Sequence, residues 1–188
     1  MKRSTLLAAT LLASVFAVSA APVRAAEQTV MVGGQAMYPN KNIVANAVNS
    51  SDHTTLVAAV KAAGLVPTLE SKGPFTVFAP TNEAFNDLPA GTVDTLVKPE
   101  NKATLTKILT YHVVPGDYTT TKLRSMILAN HGEANLKTVE GEDLTVRMNG
   151  SSNMTVTDAK GDVADITVSD VKQSNGVIQV VDKVLMPK

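Results

Sequence analysis

The chain runs to 188 residues, with 17 basic against 17 acidic side chains, 4% aromatic residues and no cysteine. That composition excludes disulfides and any lipid anchor carried on a thiol. With no Lys/Arg run to track a phosphate backbone and so few aromatics, it also argues against nucleic-acid binding, and the balanced charge argues against docking on anionic lipid.

The N-terminus reads as an export signal. Met1-Lys2-Arg3 is a short positive region, and an apolar run from Leu6 to Val18 follows it, too short to span a bilayer at roughly 20 residues. Ser19 to Ala26 then supplies small residues, with Val23 and Ala25 at the recognition positions of a signal peptidase. The expectation is a signal peptide over 1–25 and a mature chain beginning at Ala26; a cut after Ala20 and an uncut anchor are the alternatives. Cleavage removes Lys2, Arg3 and Arg24, leaving 14 basic against 17 acidic residues, a net charge near −3. Localisation in the periplasm or the medium follows, with no membrane insertion after cleavage.

Residues 26–40, with Gly33-Gly34 and Pro39-Asn40, read as an irregular segment. From Asn42 to about Leu109 the apolar spacing is mostly helical. Leu56, Val57, Val60 and Ala63 share one face of a helix that Ser51 or Asp52 is placed to cap, and Gly64 sits where a left-handed C-terminal residue is needed. Phe75-Thr76-Val77-Phe78 interrupts the helices as a short strand, Phe75 and Val77 facing one side and Thr76 and Phe78 the other. Thr81 or Asn82 is placed to cap the helix that buries Phe85. Pro99 opens a longer helix whose Leu105, Ile108 and Leu109 face inward.

At Tyr111 the pattern changes. Tyr111-His112-Val113-Val114 reads as a strand stopped by Pro115-Gly116, and Tyr118 to Asn130 is open between helix and loop. Beyond Leu136, alternating segments (Leu144, Val146 and Met148; Met154 and Val156; Ile166 and Val168) are separated by turns at Asn149-Gly150, Lys160-Gly161 and Asn175-Gly176. Val177 to Val181 is nearly continuous in apolar character, as expected of a central strand buried on both faces. Helices first and strands second give an α+β class in a single domain.

Three segments carry a family resemblance. Phe75-Thr-Val-Phe-Ala-Pro-Thr-Asn-Glu-Ala-Phe85 resembles the first signature of the fasciclin domain, Leu109-Thr-Tyr-His-Val-Val114 its central Tyr-His signature, and Asn175-Gly-Val-Ile-Gln-Val-Val-Asp-Lys-Val-Leu-Met-Pro187 its C-terminal signature. Their order and spacing fit one domain over residues 41–188. The resemblance implies a β-sheet wedge flanked by several helices, and adhesion or matrix association outside the cell through protein or glycan partners.

The chemistry visible in the residues is sparse. There is no cysteine and no Gly-x-Ser-x-Gly, and His53, His112 and His131 lack the i,i+3 or i,i+4 pairing of a helical metal site, so no enzyme activity, metal or cofactor is expected. Glu140, Glu142 and Asp143, and then Asp158, Asp162 and Asp165, read as solvated turns, since a calcium site needs six to eight convergent oxygens. Met31 and Met37 suggest an alternative function, a periplasmic carrier of a small ligand, haem or copper, because two thioethers near a histidine suit Cu(I). The leading expectation is a non-enzymatic interaction module. Its candidate partner contacts are Tyr111, His112 and Tyr118; the competing reading puts Tyr111 in the core, makes His112 a buried, hydrogen-bonded residue and has Tyr118 cap the sheet.

Overall fold

The computed structural model describes residues 29–188; the segment read as a signal peptide lies outside them. The first elements correct the reading of 26–40 as irregular. β1 (Val30–Val32) and β2 (Gln35–Met37) pair antiparallel about Gly33-Gly34. Gly33 has a φ of 57°, and a Cβ there would lie 2.6 Å from Ser50 Oγ. Glycine therefore supplies both the turn and the close approach by which the hairpin docks on the segment behind it. Ser51 Oγ donates to the Gly33 carbonyl at 2.7 Å to hold that dock.

Short helices follow: α1 (Ile43–Ala47), a 3-10 turn at Ser51–His53, α2 (Thr54–Ala63) and α3 (Val66–Glu70). Neither Ser51 nor Asp52 caps α2. The cap comes from across the fold, where Asn82 Oδ1 accepts from the Thr55 amide at 3.0 Å and Asn82 Nδ2 donates to the Ser51 carbonyl at 2.8 Å. Gly64 ends α2 in the left-handed region, φ 73°, as its position predicts. After β3 (Phe75–Pro80), Thr81 caps α4 (Asn82–Asn86); then come α5 (Thr92–Leu96), a 3-10 turn opened by Pro99, and α6 (Lys102–Tyr111). The helix carries through Tyr111 and is closed by His112, so the expected strand at Tyr111 begins only at Val113, as β4 (Val113–Pro115). α7 (Thr120–Ala129) settles the open segment as a helix.

The remaining chain is sheet: β5 (Glu133–Lys137), β6 (Asp143–Asn149), β7 (Asn153–Thr157), β8 (Val163–Gln173) and β9 (Gly176–Val181). The seven strands lie in the order β4-β3-β9-β8-β7-β6-β5, and only β3 and β9 run parallel. The Val139 amide beyond β5 donates to the Val113 carbonyl of β4 at 2.7 Å, so the two ends of the order meet and the sheet curls into a near-barrel. Alternation then makes two cores. Val77 and Ala79 of β3, with Ile178 and Val180 of β9, face the helices α1 to α6, while Phe78 and Val181 face the inside of the curl with Leu123, Leu144 and Val156. β9 is thus buried on both faces, as its apolar run predicts. The result is the expected α+β architecture, a sheet flanked by helices.

Candidate partner-binding site

The Tyr-His pair sits where α6 ends against both cores. Tyr111 is fully buried; its hydroxyl donates to the Asp143 carbonyl at 3.0 Å and accepts from the Ala159 amide at 2.8 Å. Burial pushes the phenol up to about 12, and the charges of Asp158, Glu142 and Glu140 act in the same direction. His112 is 2% exposed. Its Nδ1 donates to the Ile108 carbonyl at 2.8 Å, one turn back on α6, and its Nε2 accepts from the Leu185 amide at 2.9 Å, which fixes a neutral ring and one tautomer. Burial lowers its pKa from 6.5 to about 4, against the opposing pull of the Ile108 carbonyl and the Asp158 charge. Both residues bind the C-terminal segment and the β-rich half to α6. Neither presents surface to a partner, which corrects their place among the candidate contacts.

Tyr118 is different. It is half-buried at the edge of the inner core, its ring lies against Gly116, and the Lys122 ammonium stands 4.2 Å from the ring centroid. Gly116 has a φ of 118°, and a Cβ there would lie 2.7 Å from the ring. A buried polar network that the sequence reading did not single out fixes this turn. Thr76 Oγ1 donates to the Gly116 carbonyl at 2.7 Å and accepts from the Tyr118 amide at 2.9 Å. Gln179 Nε2 donates to the Tyr118 carbonyl at 3.1 Å and to Asp170 Oδ1 at 3.0 Å, and Asp170 in turn accepts from the Thr120 amide at 2.8 Å, at the start of α7. Thr76 and Gln179 are both fully buried. The available signal was a glutamine in the middle of an otherwise apolar strand: a buried amide at such a point needs partners. The network holds Tyr118 and the exposed Asp117 on a hydrogen-bonded surface turn, with Lys122 of α7 beside the tyrosine ring.

The other candidates disperse. Met31 is exposed and Met37 buried, on opposite faces of their hairpin, so the two thioethers do not converge. His53 is buried with Nδ1 at 2.8 Å from Ser50 Oγ, and burial lowers its pKa; the neighbouring Asp52 is exposed. Asp158 closes its own turn by accepting from the Lys160 and Asp162 amides and reaches Met186 N at 2.8 Å, while Glu140 and Glu142 pair with Lys107. Among the described residues, no three His, Cys, Asp or Glu side chains gather as a metal site.

Comparison with known proteins decides the family. The fasciclin domain model matches residues 51–187. The chain belongs to the fasciclin domain family. A protein of Synechocystis sp., sll1483, is 44% identical over 170 residues, covering 90% of this chain and 87% of that one. The immunogenic protein MPB70 of Mycobacterium bovis is 38% identical over 146 residues, 75% of this chain and 66% of that one. Among solved structures, the fasciclin domain pair of the insect cell adhesion molecule fasciclin I superposes with a TM-score of 0.71 at 17% identity, over 79% of this chain and 52% of that one, a likeness of fold. This fasciclin domain therefore spends its three signatures on structure: Phe75 and Phe78 in the two cores, Tyr111 and His112 at the junction, and Asn175 as a staple whose side chain accepts from the Ile43 amide and donates to the Leu69 and Ser71 carbonyls.

Proposed function

We propose that the mature chain is an exported, non-enzymatic interaction module that holds protein or glycan partners at the cell surface or in surrounding matrix through its rigid surface. The observation that carries this reading is the contrast within the Tyr-His region. The polar atoms of Tyr111 and His112 are consumed by internal hydrogen bonds, whereas Asp117 and Tyr118 stand on a turn that a buried network holds in place, with Lys122 of α7 against the Tyr118 ring. Preorganisation lowers the entropic cost of association, and tyrosine suits an interface with its apolar body and polar tip. Family membership and the likeness to an adhesion molecule support the same reading.

The test is retention of the purified mature protein by cells and envelope fragments, repeated after protease and after periodate treatment of that material to separate protein from glycan partners. Retention abolished by one treatment assigns the class; absence of retention above an inert protein control refutes the proposal. Export is checked separately by N-terminal sequencing of protein recovered outside the cytoplasm. It should begin at Ala26, with Ala21 the alternative site, and an intact Met1 there would refute cleavage.

A further inference from the structure

We infer that the β1–β2 hairpin is an acid-released arm: it closes over the neutral ring of His53, and a second proton on that ring lifts it off the domain. The hairpin lies ahead of residues 51–187, the span of the family match, and forms a two-stranded sheet of its own outside the seven-stranded one. Each of its strands has three residues. So small a hairpin is barely stable alone and depends on its seat. That seat is made by the buried Val32 and Met37 and by the Gly33 tip, which sits against Ser50 and accepts from Ser51 Oγ. Just beyond the hairpin the chain is clamped again. Asn46 Oδ1 accepts from the Tyr38 amide at 3.1 Å, and Asn46 Nδ2 donates to the Tyr38 carbonyl at 2.8 Å. The arm therefore ends at a fixed point about which it can swing.

His53 lies under this arm. Val32 and Met37 share a void of ≈ 20 Å³ with Ser50 and His53, room for one water at about 10–15 Å³. The ring is 3% exposed, and its Nδ1 lies 2.8 Å from Ser50 Oγ. Its Nε2 is the one buried side-chain polar atom among the described residues without a hydrogen-bond partner. Two groups favour a proton on the ring: the Ala79 carbonyl of β3, which does not complete a hydrogen bond, and Asp52, exposed on the same 3-10 turn. Asp52 is the one charged side chain acting on it among the described residues; the hairpin, α1, β8 and β9 line the void with apolar side chains, Ala47, Val171 and Ile178 among them. Burial outweighs both favourable groups and holds the ring below its ordinary pKa. A charged ring thus needs water, and the wall that can yield is the hairpin, since the others belong to the main sheet and the helices. The ring titrates normally, near pH 6.5, once the arm is off and lower while it is on, so protons favour the open form. The arm stays closed above about pH 6.5 and opens progressively below it.

The hairpin carries its own reporters. Met31 is 59% exposed and Met37 3%, while Met154, at 2%, sits in the inner core. Peroxide transfers one oxygen to a thioether and leaves water, with no proton uptake, so pH acts on the rate through the protein. The experiment treats the mature protein with dilute hydrogen peroxide between pH 7 and pH 5 and follows initial sulfoxide formation by peptide mass spectrometry. The Met37 rate relative to Met31 should rise as the pH falls below about 6.5, by up to about tenfold per pH unit, with Met154 still protected. His53→Gln should flatten this response whatever its level of protection at pH 7, and His112→Gln should keep it. A Met37 to Met31 ratio independent of pH, Met37 and Met154 exposed in parallel, or an unchanged slope in His53→Gln would overturn the proposal. The measurement involves neither a partner nor the Tyr118 turn, so its failure leaves the interaction module untouched.

Discussion

Lowering the pH from 7 to 5 draws on the stability that His112 contributes. Its pKa is about 4 in the folded chain against 6.5 for an ordinary histidine, because the ring is buried and its Nε2 must accept from the Leu185 amide, which a protonated ring cannot do. The unfolded chain therefore binds more protons than the folded one between those values, so stability rises with pH through this window and is fully present above it. Linkage over a displacement of this size gives a loss of about 2 kcal/mol between pH 7 and pH 5 from this residue. His53, whose pKa burial also lowers, adds to the loss in the same direction. Urea unfolding at half-unit pH steps measures the sum, and His112→Gln separates the terms. The variant loses a ring that served both the Ile108 carbonyl and the Leu185 amide, at a cost of about 2–4 kcal/mol at pH 7, and it should lack the His112 share of the slope. If His112→Gln and wild type lose the same stability from pH 7 to pH 5, the assignment of a neutral, doubly bonded His112 is wrong.

Two further predictions concern groups placed by tertiary structure. Asn82→Ala leaves the Thr55 amide and the Ser51 carbonyl without their partner, and should lower stability by about 1–2 kcal/mol in urea unfolding with α2 fraying first in hydrogen exchange. Gln179→Leu strips bonds from the Tyr118 carbonyl and from Asp170 in a buried network. It should cost about 2–4 kcal/mol and raise amide exchange at Gly116, Tyr118 and Thr120 above that of the β9 amides beside them; uniform protection across these residues would refute the preorganised turn.

The parts of the fold that local chemistry controls were legible in the sequence. Gly64 ends α2 because a left-handed residue is needed there, Thr81 caps α4, and the alternation of Phe75 to Phe78 and the unbroken apolar run of Val177 to Val181 report a strand between two cores. The misreadings share a cause. The strand assignment at Tyr111 failed because no glycine or proline separates α6 from β4; the helical step from Ile108 to His112 was present but competed with a β-favouring run. The 30–37 hairpin was hidden because Gly33-Gly34 serves equally as a linker, and its partner surface at Ser50 is remote in sequence. Likewise the cap of α2 arrives from Asn82, 27 residues beyond the amide it binds. At the site, Tyr118 was visible as an aromatic in a turn, but the network through Thr76, Asp170 and Gln179 spans separate elements and follows only from the sheet order.

The central claim is that a metal-free surface around Tyr118 holds the partner. The direct measurement is a binding isotherm of the mature protein on envelope or matrix material, wild type against Tyr118→Ala, each with and without exhaustive chelation. Removing an interface tyrosine that sits on a fixed turn should weaken binding about tenfold, or about 1.4 kcal/mol, and chelation should leave both curves where they are. Binding lost on chelation would contradict the metal-free surface, and an unchanged isotherm for Tyr118→Ala would move the contact away from this turn.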